Sequence, residues 1–587
     1  MNILGISCYY HDSAAALLQN GLLVAAAQEE RFSRIKNDAS FPTSAIHFCL
    51  AQAKIQSQDL DFVVLHEKPL LKLQRFLTSS LRYWPLAGSL FEQGAISWIK
   101  QKLWISARIV EELGLSASKV LFVDHHMSHA ASAFFCSPFD EAAVLTVDGV
   151  GEWATAAMGT ATSSPCSIRL SHEMRFPDSI GLLYSTFTAF LGFEVNEGEY
   201  KVMGMAPYGE PRYLAELNRV AELHSDGSIS INPRFFSFHY SADRSFTSRF
   251  VDLFGPPREP NLEFVTGRAD TGDGPEDLKK RNQRYADIAA SVQCFTEQAL
   301  LKMARNLQRS SGSRNCCLAG GVALNSVANT QLLCNAGFDR IFIQPAAGDA
   351  GGALGAAQYA WHVLLGKPRS FILEHAYWGS SYDDAQISAA LANTGAQCLT
   401  TDEEIVDYAV QDLLAGKVLG WFQGRFEWGP RALGNRSILA DPRREDMKKI
   451  VNSKIKFREP FRPFAPVISE QSIASLFDGP KNLDQQYPVR FMLMVVPWKA
   501  EAGQRVPAVN HLGTGRLQAL RPEWNPCYDS LLKTFGEATG VPVLLNTSFN
   551  VRGEPIVATP EDALRAFRMS GLDVLYVGNY RLEKSGA

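Results

Sequence analysis

Short apolar runs of strand length recur along this chain, and each breaks off abruptly into a polar or glycine-rich stretch. The first, "NILGIS", gives way to the turn-prone "CYYHDSA" and then to another apolar run, "GLLVAAAQEE", which predicts a hairpin at the start of a sheet. Four more runs end in the same way: "VLFVDHH", "AAVLTVDGVGEW", "NCCLAGGVALNSVANTQLL" and "RIFIQPAAGDAGGALGAA". Ligands of α/β proteins gather at the carboxyl ends of strands, so these breaks are where chemistry is expected. At Gly320 and Gly321, and again at Gly351 and Gly352, glycine allows close backbone approach where a helix begins, and free N–H groups there suit an anion.

The period changes in "YADIAASVQCFTEQALLKMARNL", where apolar residues recur at helical spacing and predict a long core helix. Residues 256–277, rich in Pro, Gly and Asp, predict a surface excursion before it. The stretch "WPLAGSLFEQGAISWIKQKLWI" is helix-compatible and aromatic-rich; it either lines an acceptor pocket or packs most of its aromatics against the domain body. The tone shifts at "KPRSFILEHAYWGSSYDD", which sets a boundary near residue 366 and predicts domains at 1–365 and 366–587. Arginines around glycine and proline turns crowd the second.

Composition narrows the function classes. A chain of 587 residues exceeds one compact core, so several lobes meeting at clefts are expected. With 46% hydrophobic and 20% charged residues it reads as an ordinary soluble protein. The net charge of -4 argues against a nucleic-acid partner. The amino-terminal stretch lacks a basic export region, and no apolar run reaches the roughly 18 residues that span a bilayer, so the expectation is a cytoplasmic protein with no membrane partner. Ten cysteines without a C-x-x-C pair read as small core residues of a reduced protein.

"VDHHMSH" poses the sharpest chemical question. On a helix, His125 and His129 share a face and can hold one metal, whereas His126 points elsewhere. Two ligands are too few, and Asp148 and Asp349, each at a strand end before glycine, are the candidate partners. Such a set suits Fe(II), Mn(II) or Zn(II). A partly exposed helix face is the alternative, and spacing alone leaves both readings open.

The order of the motifs resembles one family, the NodU/CmcH O-carbamoyltransferases, over nearly the full length. In the first half the resemblance rests on "GISCYYHDSAA", "QEERFSRIKND", "HHMSH", "VDGVGEW", "GLLYSTFTAFLGF", "GEYKVMGMAPYG", "GGVALN" and "GDAGGALGAA". In the second it rests on "WFQGRFEWGPRALGNRSILADPR", "FREPFRPFAP", "GTGRLQAL" and "LNTSFNVRGEPIV". The resemblance implies an α/β protein with a two-lobed, actin/sugar-kinase-like (TsaD-like) amino-terminal domain and a YrdC-like carboxyl-terminal α/β domain. It places His125, His129, Asp148 and Asp349 at the metal positions, with Fe(II) or another divalent ion as cofactor. It further implies that ATP, with Mg2+, and carbamoyl phosphate form carbamoyl adenylate in the second domain, and that the first transfers the carbamoyl group to a hydroxyl of a small-molecule natural product. A homodimer is among the assemblies it allows.

On this reading Arg425, Arg431, Arg436, Lys456, Arg458, Arg462, Arg516 and Arg552 clamp phosphate charge, and Asn546, Ser548 and Asn550 hydrogen-bond the carbamoyl group or the phosphates. Gly320, Gly321, Asn325, Gly351 and Gly352 hold the nucleotide in the first domain. His11 acts as general base on the acceptor hydroxyl, oriented by Asp12, and Lys201 contacts phosphate or acceptor. Tyr200 stands where the family often has glycine, which narrows the neighbouring pocket. Two rivals remain: a tRNA threonylcarbamoyladenosine-type modification enzyme, which the net charge disfavours, and a non-catalytic nucleotide-binding regulator, which has no need of the arginine set.

Overall fold

The computed structural model describes residues 1–268, 271–480 and 482–584. The chain forms two compact units: residues 1–26 with 39–372, and residues 27–38 with 373–587. The segment Ala27–Asp38, which carries most of "QEERFSRIKND", thus leaves the first unit and folds with the second.

The amino-terminal hairpin has one more strand than its pattern suggested. β1 (Asn2–Ser7) pairs antiparallel with β2 (Ala14–Gln19), and β3 (Leu22–Gln28) follows. β4 (Phe62–Leu65) and β5 (Val120–Phe122) complete a sheet of order β3-β2-β1-β4-β5, in which β1, β4 and β5 run parallel. A second sheet repeats this plan. β6 (Glu141–Val147), β7 (Ala154–Ser163) and β8 (Cys166–Arg175) form an antiparallel meander, and β9 (Asn315–Ala319) and β10 (Arg340–Ile343) add in parallel, giving β8-β7-β6-β9-β10. Two sheets with the same strand order and directions make this unit an actin-like α/β fold.

Four helices matter for the site. α1 (His125–Phe134) follows β5, and α2 (Glu276–Ser311) is the long core helix, longer than its apolar period showed because Glu276 and Asp277 open it and Gly312, at positive φ, closes it. Before α2 the chain is irregular, as expected of an excursion; positions 269 and 270 of that stretch lie outside the described residues. α3 (Ser326–Asn335) follows β9, and α4 (Asp349–Tyr359) follows β10.

The glycines of α4 explain how tightly this unit closes. A Cβ on Gly355 would sit 1.8 Å from the Ser128 carbonyl oxygen of α1, and a Cβ on Gly5 of β1 would sit 1.8 Å from that of Ala353. No larger residue fits either contact, so α4 is pinned between a strand and the histidine helix.

The second unit is built on a mixed eight-stranded sheet. Its strands are β11 (Gln397–Cys398), β12 (Leu419–Phe422), β13 (Arg436–Ala440), β14 (Ala465–Ser469), β15 (Gln518–Leu520), β16 (Leu544–Ser548), β17 (Val574–Val577) and β18 (Tyr580–Glu583). Their order is β11-β18-β17-β12-β13-β16-β14-β15. Trp421, Tyr528, Leu531, Phe535 and Tyr576 fill its core. Among the described residues, no helix is long and apolar enough to cross a membrane.

Candidate metal centre and anion clamp

The repeated sheet plan explains why distant residues meet. Equivalent strands β1 and β6 end in His11-Asp12 and Asp148; β4 and β9 end in His66-Glu67 and Gly320-Gly321; β5 and β10 lead into α1, which carries His125 and His129, and α4, which opens with Asp349. All six strand ends therefore supply residues that sequence or structure marks as functional.

The four expected ligands converge. His125 Nε2 and His129 Nε2 lie 3.0 and 2.9 Å from Asp148 Oδ2, 3.1 Å from each other and 3.6 Å from Asp349 Oδ1. All four side chains are buried, and their ligand atoms lie within 4.8 Å of one another. Both Asp349 oxygens are buried with no hydrogen-bond partner among the described residues. A buried carboxylate left in that state is costly unless a cation completes it. Two imidazole nitrogens and two carboxylates at these separations fit one divalent ion with bonds of about 2.0–2.2 Å. The four residues form a buried group that could hold a metal ion.

The charges agree. Burial alone would raise the Asp148 and Asp349 carboxyls, but hydrogen bonds from His125 and His129 to Asp148, and the His11 and His125 charges facing Asp349, hold both well below the usual carboxylate range. Burial would lower His129, yet the two aspartates push it up to about 9. A cation entering this site displaces a proton, so loading depends on pH.

His126 is a different case. Its Nε2 donates to the Ala154 carbonyl (2.9 Å) and its Nδ1 accepts from Thr146 Oγ1 (2.8 Å), which ties α1 to β6 and the start of β7. Burial, then the neighbouring histidines, lower it to about 3, so it is neutral and structural.

His11 Nδ1 lies 3.1 Å from Asp12 Oδ2. Burial would lower this imidazole, but Asp349, Asp12 and Asp148 raise it to about 10. His11 thus senses both aspartates of the cluster.

Sequence reasoning missed three residues at this site. His66 Nε2 is 3.9 Å from Asp349 Oδ2, and His66, Glu67 and His125 form a second buried group of metal-ligating type. Glu152 accepts from the backbone N–H of His125 (3.1 Å) and of Lys68 (2.8 Å), anchoring the start of α1. The signal for His66 was present: "DFVVLHEKP" breaks from an apolar run into polar residues as the other strand ends do.

The glycines expected at the nucleotide have packing duties. Gly320, at positive φ, lets its loop approach β6, where a Cβ would lie 2.2 Å from the Val147 oxygen, and the Gly321 N–H donates to Asp148 Oδ1 (3.3 Å). Gly351 and Gly352 press against Ala346 and His66. Asn325 caps α3 through the Ala328 N–H and exchanges amide hydrogen bonds with Gln293 (3.0 Å each). Lys201 lies on helix Glu199–Met205 with its ammonium 5.4 Å from the centre of the Phe193 ring, and Tyr200 beside it is half-buried.

In the second unit the expected arginine set divides. Arg436 is fully buried, donates to the Gln423, Gly424 and Ser380 carbonyls, and stacks 3.6 Å from the centre of the Phe422 ring. These bonds fasten the loop before β13, a duty the expected phosphate clamp did not include. Burial lowers the guanidinium to about 10. Arg425 likewise donates to the Trp378 (2.8 Å) and Gly379 (3.1 Å) carbonyls. The buried Glu427, absent from the expected set, gathers the Leu433, Asn435 and Arg436 N–H groups on one oxygen.

A second group is gathered around Lys456. Its buried ammonium donates to the Ser548 carbonyl (2.6 Å) and to Asn550 Oδ1 (2.6 Å), and burial, then Arg458, Arg462 and Lys36, lower it well below the usual lysine range. Lys36 comes from the Ala27–Asp38 segment, so "SRIKND" brings a cation to this group. Arg458 Nε donates to Asn452 Oδ1 (2.6 Å), Arg462 pairs with Glu459 (3.3 Å), and exposed Arg552 lies 3.4 Å from the Phe457 oxygen. Arg431 and Arg516 are half-buried. Asn546 Nδ2 donates to Gln518 (2.6 Å), while its buried Oδ1 has no hydrogen-bond partner among the described residues.

Within the same unit, Arg31 donates to the Gly429 carbonyl (3.0 Å) and pairs with Glu30 (2.7 Å), and Arg34 donates to the Ile556 (2.7 Å) and Pro555 (3.0 Å) carbonyls. The short segment is therefore woven into the turns that carry "GPRALGNRS" and "RGEPIV".

Comparison with known proteins gives these two units a common context. Residues 2–358 match the family model for the carbamoyltransferase N-terminus and residues 410–584 that for the carbamoyltransferase C-terminus. An uncharacterized protein of Synechocystis sp., sll1178, is 43% identical over all of this chain and 97% of its own. Nodulation protein NolNO of Sinorhizobium fredii is 35% identical over 99% of this chain and 80% of its own, and nodulation protein U of Rhizobium tropici is 28% identical over 94% and 91%. Among solved structures, HypF of T. kodakarensis overlaps 62% of this chain and 48% of its own at 18% identity, with a TM-score of 0.33. With both family models matched in order along its length, the chain belongs to the carbamoyltransferase family.

Proposed function

We propose that this carbamoyltransferase is an ATP-dependent O-carbamoyltransferase that works in two steps. In the first, water releases phosphate from carbamoyl phosphate to leave carbamate, whose oxygen attacks the α-phosphorus of ATP to give carbamoyl adenylate with release of pyrophosphate. In the second, a hydroxyl of a small-molecule natural product attacks the carbamoyl carbon and AMP leaves. The observation that carries this reading is the pairing of a buried His-His-Asp-Asp cluster in one unit with a cation group around Lys456 in the other.

Adenylate formation brings several phosphate charges together, and preorganised cations are the main catalytic demand of such a step. Arg458, Arg462, Arg552, Arg431 and Arg516, with Lys36, meet it; Lys456 positions Ser548 and Asn550. The Asn546 carbonyl oxygen, buried without a donor among the described residues, suits the carbamoyl NH2.

For transfer, His125, His129, Asp148 and Asp349 would hold Fe(II), which when bound supplies Lewis-acid stabilisation of negative charge. His11 takes the proton from the acceptor hydroxyl, with Asp12 fixing its ring. Its raised proton affinity comes largely from Asp349 and Asp148, so a divalent charge among those carboxylates brings it back toward the range a general base needs.

The test is direct. Incubation with ATP, carbamoyl phosphate, Mg2+ and Fe(II), followed by mass spectrometry, is expected to show carbamoyl adenylate and pyrophosphate. Appearance of neither overturns the mechanism.

A further inference from the structure

The segment between β4 and β5 is built inside out. Its first helix, Pro69–Arg82, buries Lys72 (5% exposed) and Ser80 (1%) while turning Leu70 (72%), Leu77 and Leu81 (75%) outward. Lys72 is held inward by Glu67 (2.5 Å), with its ammonium 4.9 Å from the centre of the Tyr10 ring. The second helix, Gly88–Lys100, locks onto the first where Phe76 stacks on Phe91 (5.8 Å) and lies against Gly94, and it exposes Ile96 and Ile99. Trp84 (63%) between the helices and Trp104 just beyond them are also exposed. Of the aromatics in this stretch only Trp98 is buried, so packing against the domain body does not account for the rest.

Single exposed leucines are ordinary, but a contiguous apolar face of this kind marks an interaction surface. Charge identifies its occupant. Between residues 68 and 108 stand seven basic residues, Lys68, Lys72, Arg75, Arg82, Lys100, Lys102 and Arg108, against one acid, Glu92, in a chain whose net charge is -4; Lys68, Lys72 and Arg108 pair with Asp124, Glu67 and Glu112, which leaves four cations beyond these pairs to one acid. Arg82 and Lys100 are exposed at the carboxyl ends of the two helices. A second copy docking face to face would set these cations against their own kind, at a cost in repulsion. An anionic bilayer surface satisfies both features: leucine and isoleucine enter the acyl boundary, tryptophan sits at headgroup level, and lysine and arginine meet lipid phosphate.

We propose that this helical pair docks the protein peripherally on an anionic lipid bilayer. The inference goes beyond the carbamoyl reading and does not rest on it. The sequence expectation of no membrane partner rested on the absence of a spanning run, a criterion that two short interfacial helices escape.

Vesicle flotation of the full chain tests it, with phosphatidylcholine vesicles compared to phosphatidylcholine–phosphatidylglycerol vesicles. The expected result is flotation with the anionic vesicles only, weakened by salt and accompanied by a blue shift of tryptophan emission. Leu77→Asp with Ile99→Asp should abolish flotation, and Arg82→Gln with Lys100→Gln should weaken it by roughly fivefold per charge removed. All four positions are exposed, and an unchanged melting temperature of each variant verifies its fold. Failure of the native chain to float, or flotation unaffected by the aspartate pair, overturns the proposal. So does a native dimer in light scattering that the aspartate pair converts to monomer, which would assign the face to a second copy.

Discussion

The two units bury their polar side chains to opposite ends. In the first, the buried groups keep capacity in reserve: both Asp349 oxygens lack a hydrogen bond among the described residues, although His125, His129 and Asp148 crowd around them. In the second, the most deeply buried cations are largely engaged, Arg436 through both terminal nitrogens by main-chain carbonyls and over Phe422, with only its Nε lacking a hydrogen-bond partner among the described residues, and Lys456 by Ser548 and Asn550. A buried carboxylate with both oxygens unmet is poised for a ligand, whereas a guanidinium with most of its donors met by carbonyls serves the architecture. Residue type does not separate the two cases; partners do.

The contrast is sharpest at His129. His129→Ala removes a ligand from the cluster, so acceptor carbamoylation should fall by about a thousandfold or more while pyrophosphate release by the second unit persists, and bound metal measured by mass spectrometry should drop with it. Equal loss of both half-reactions would break the division of labour. Lys456→Met is the converse: adenylate formation should fall by about a hundredfold, while transfer from supplied carbamoyl adenylate continues. Arg436→Met tests the architectural assignment, because the freed carbonyls should cost about 1–3 kcal/mol of stability, read as a lower urea midpoint, with the specific activity of the folded fraction retained. A loss of activity without loss of stability would return Arg436 to the clamp.

The effect smallest near neutral pH is the pH dependence of stability itself. His126 is held neutral, its proton affinity lowered to about 3 by burial and by His125 and His129. Below about pH 6.5 the unfolded chain binds a proton that the folded chain refuses, so stability is full above that pH and declines by roughly 1 kcal/mol per pH unit as pH falls toward 3. His126→Gln should flatten this part of the stability–pH profile relative to the native chain.

Much of the first unit was legible because its strands are short and buried and its functional groups sit where they end. The four candidate ligands, the long core helix and the family motifs all follow from that pattern. His66 escaped, although "VVLHE" breaks off like the others, because no second histidine four residues on drew attention to it. In the second unit the arginines were visible and their duties were not. Arg436 and Arg458 both stand among other basic residues along the chain, yet only packing turned the first toward the carbonyls of its own loop. The Ala27–Asp38 segment was quoted as a motif, but its exchange between units is a long-range contact that no local pattern encodes.

The sequence by itself determined most element types, the family and four candidate ligands, since strand ends, i,i+4 spacing and glycine turns are local signals. The tertiary structure alone decided that the four ligands meet, because their convergence depends on two sheets of the same plan and on Gly5 and Gly355 letting α4 lie against β1 and α1. It also decided which arginines are architecture and that the helix Pro69–Arg82 faces its leucines outward. Those outcomes depend on which partners the fold supplies to each side chain, and a linear sequence does not state them.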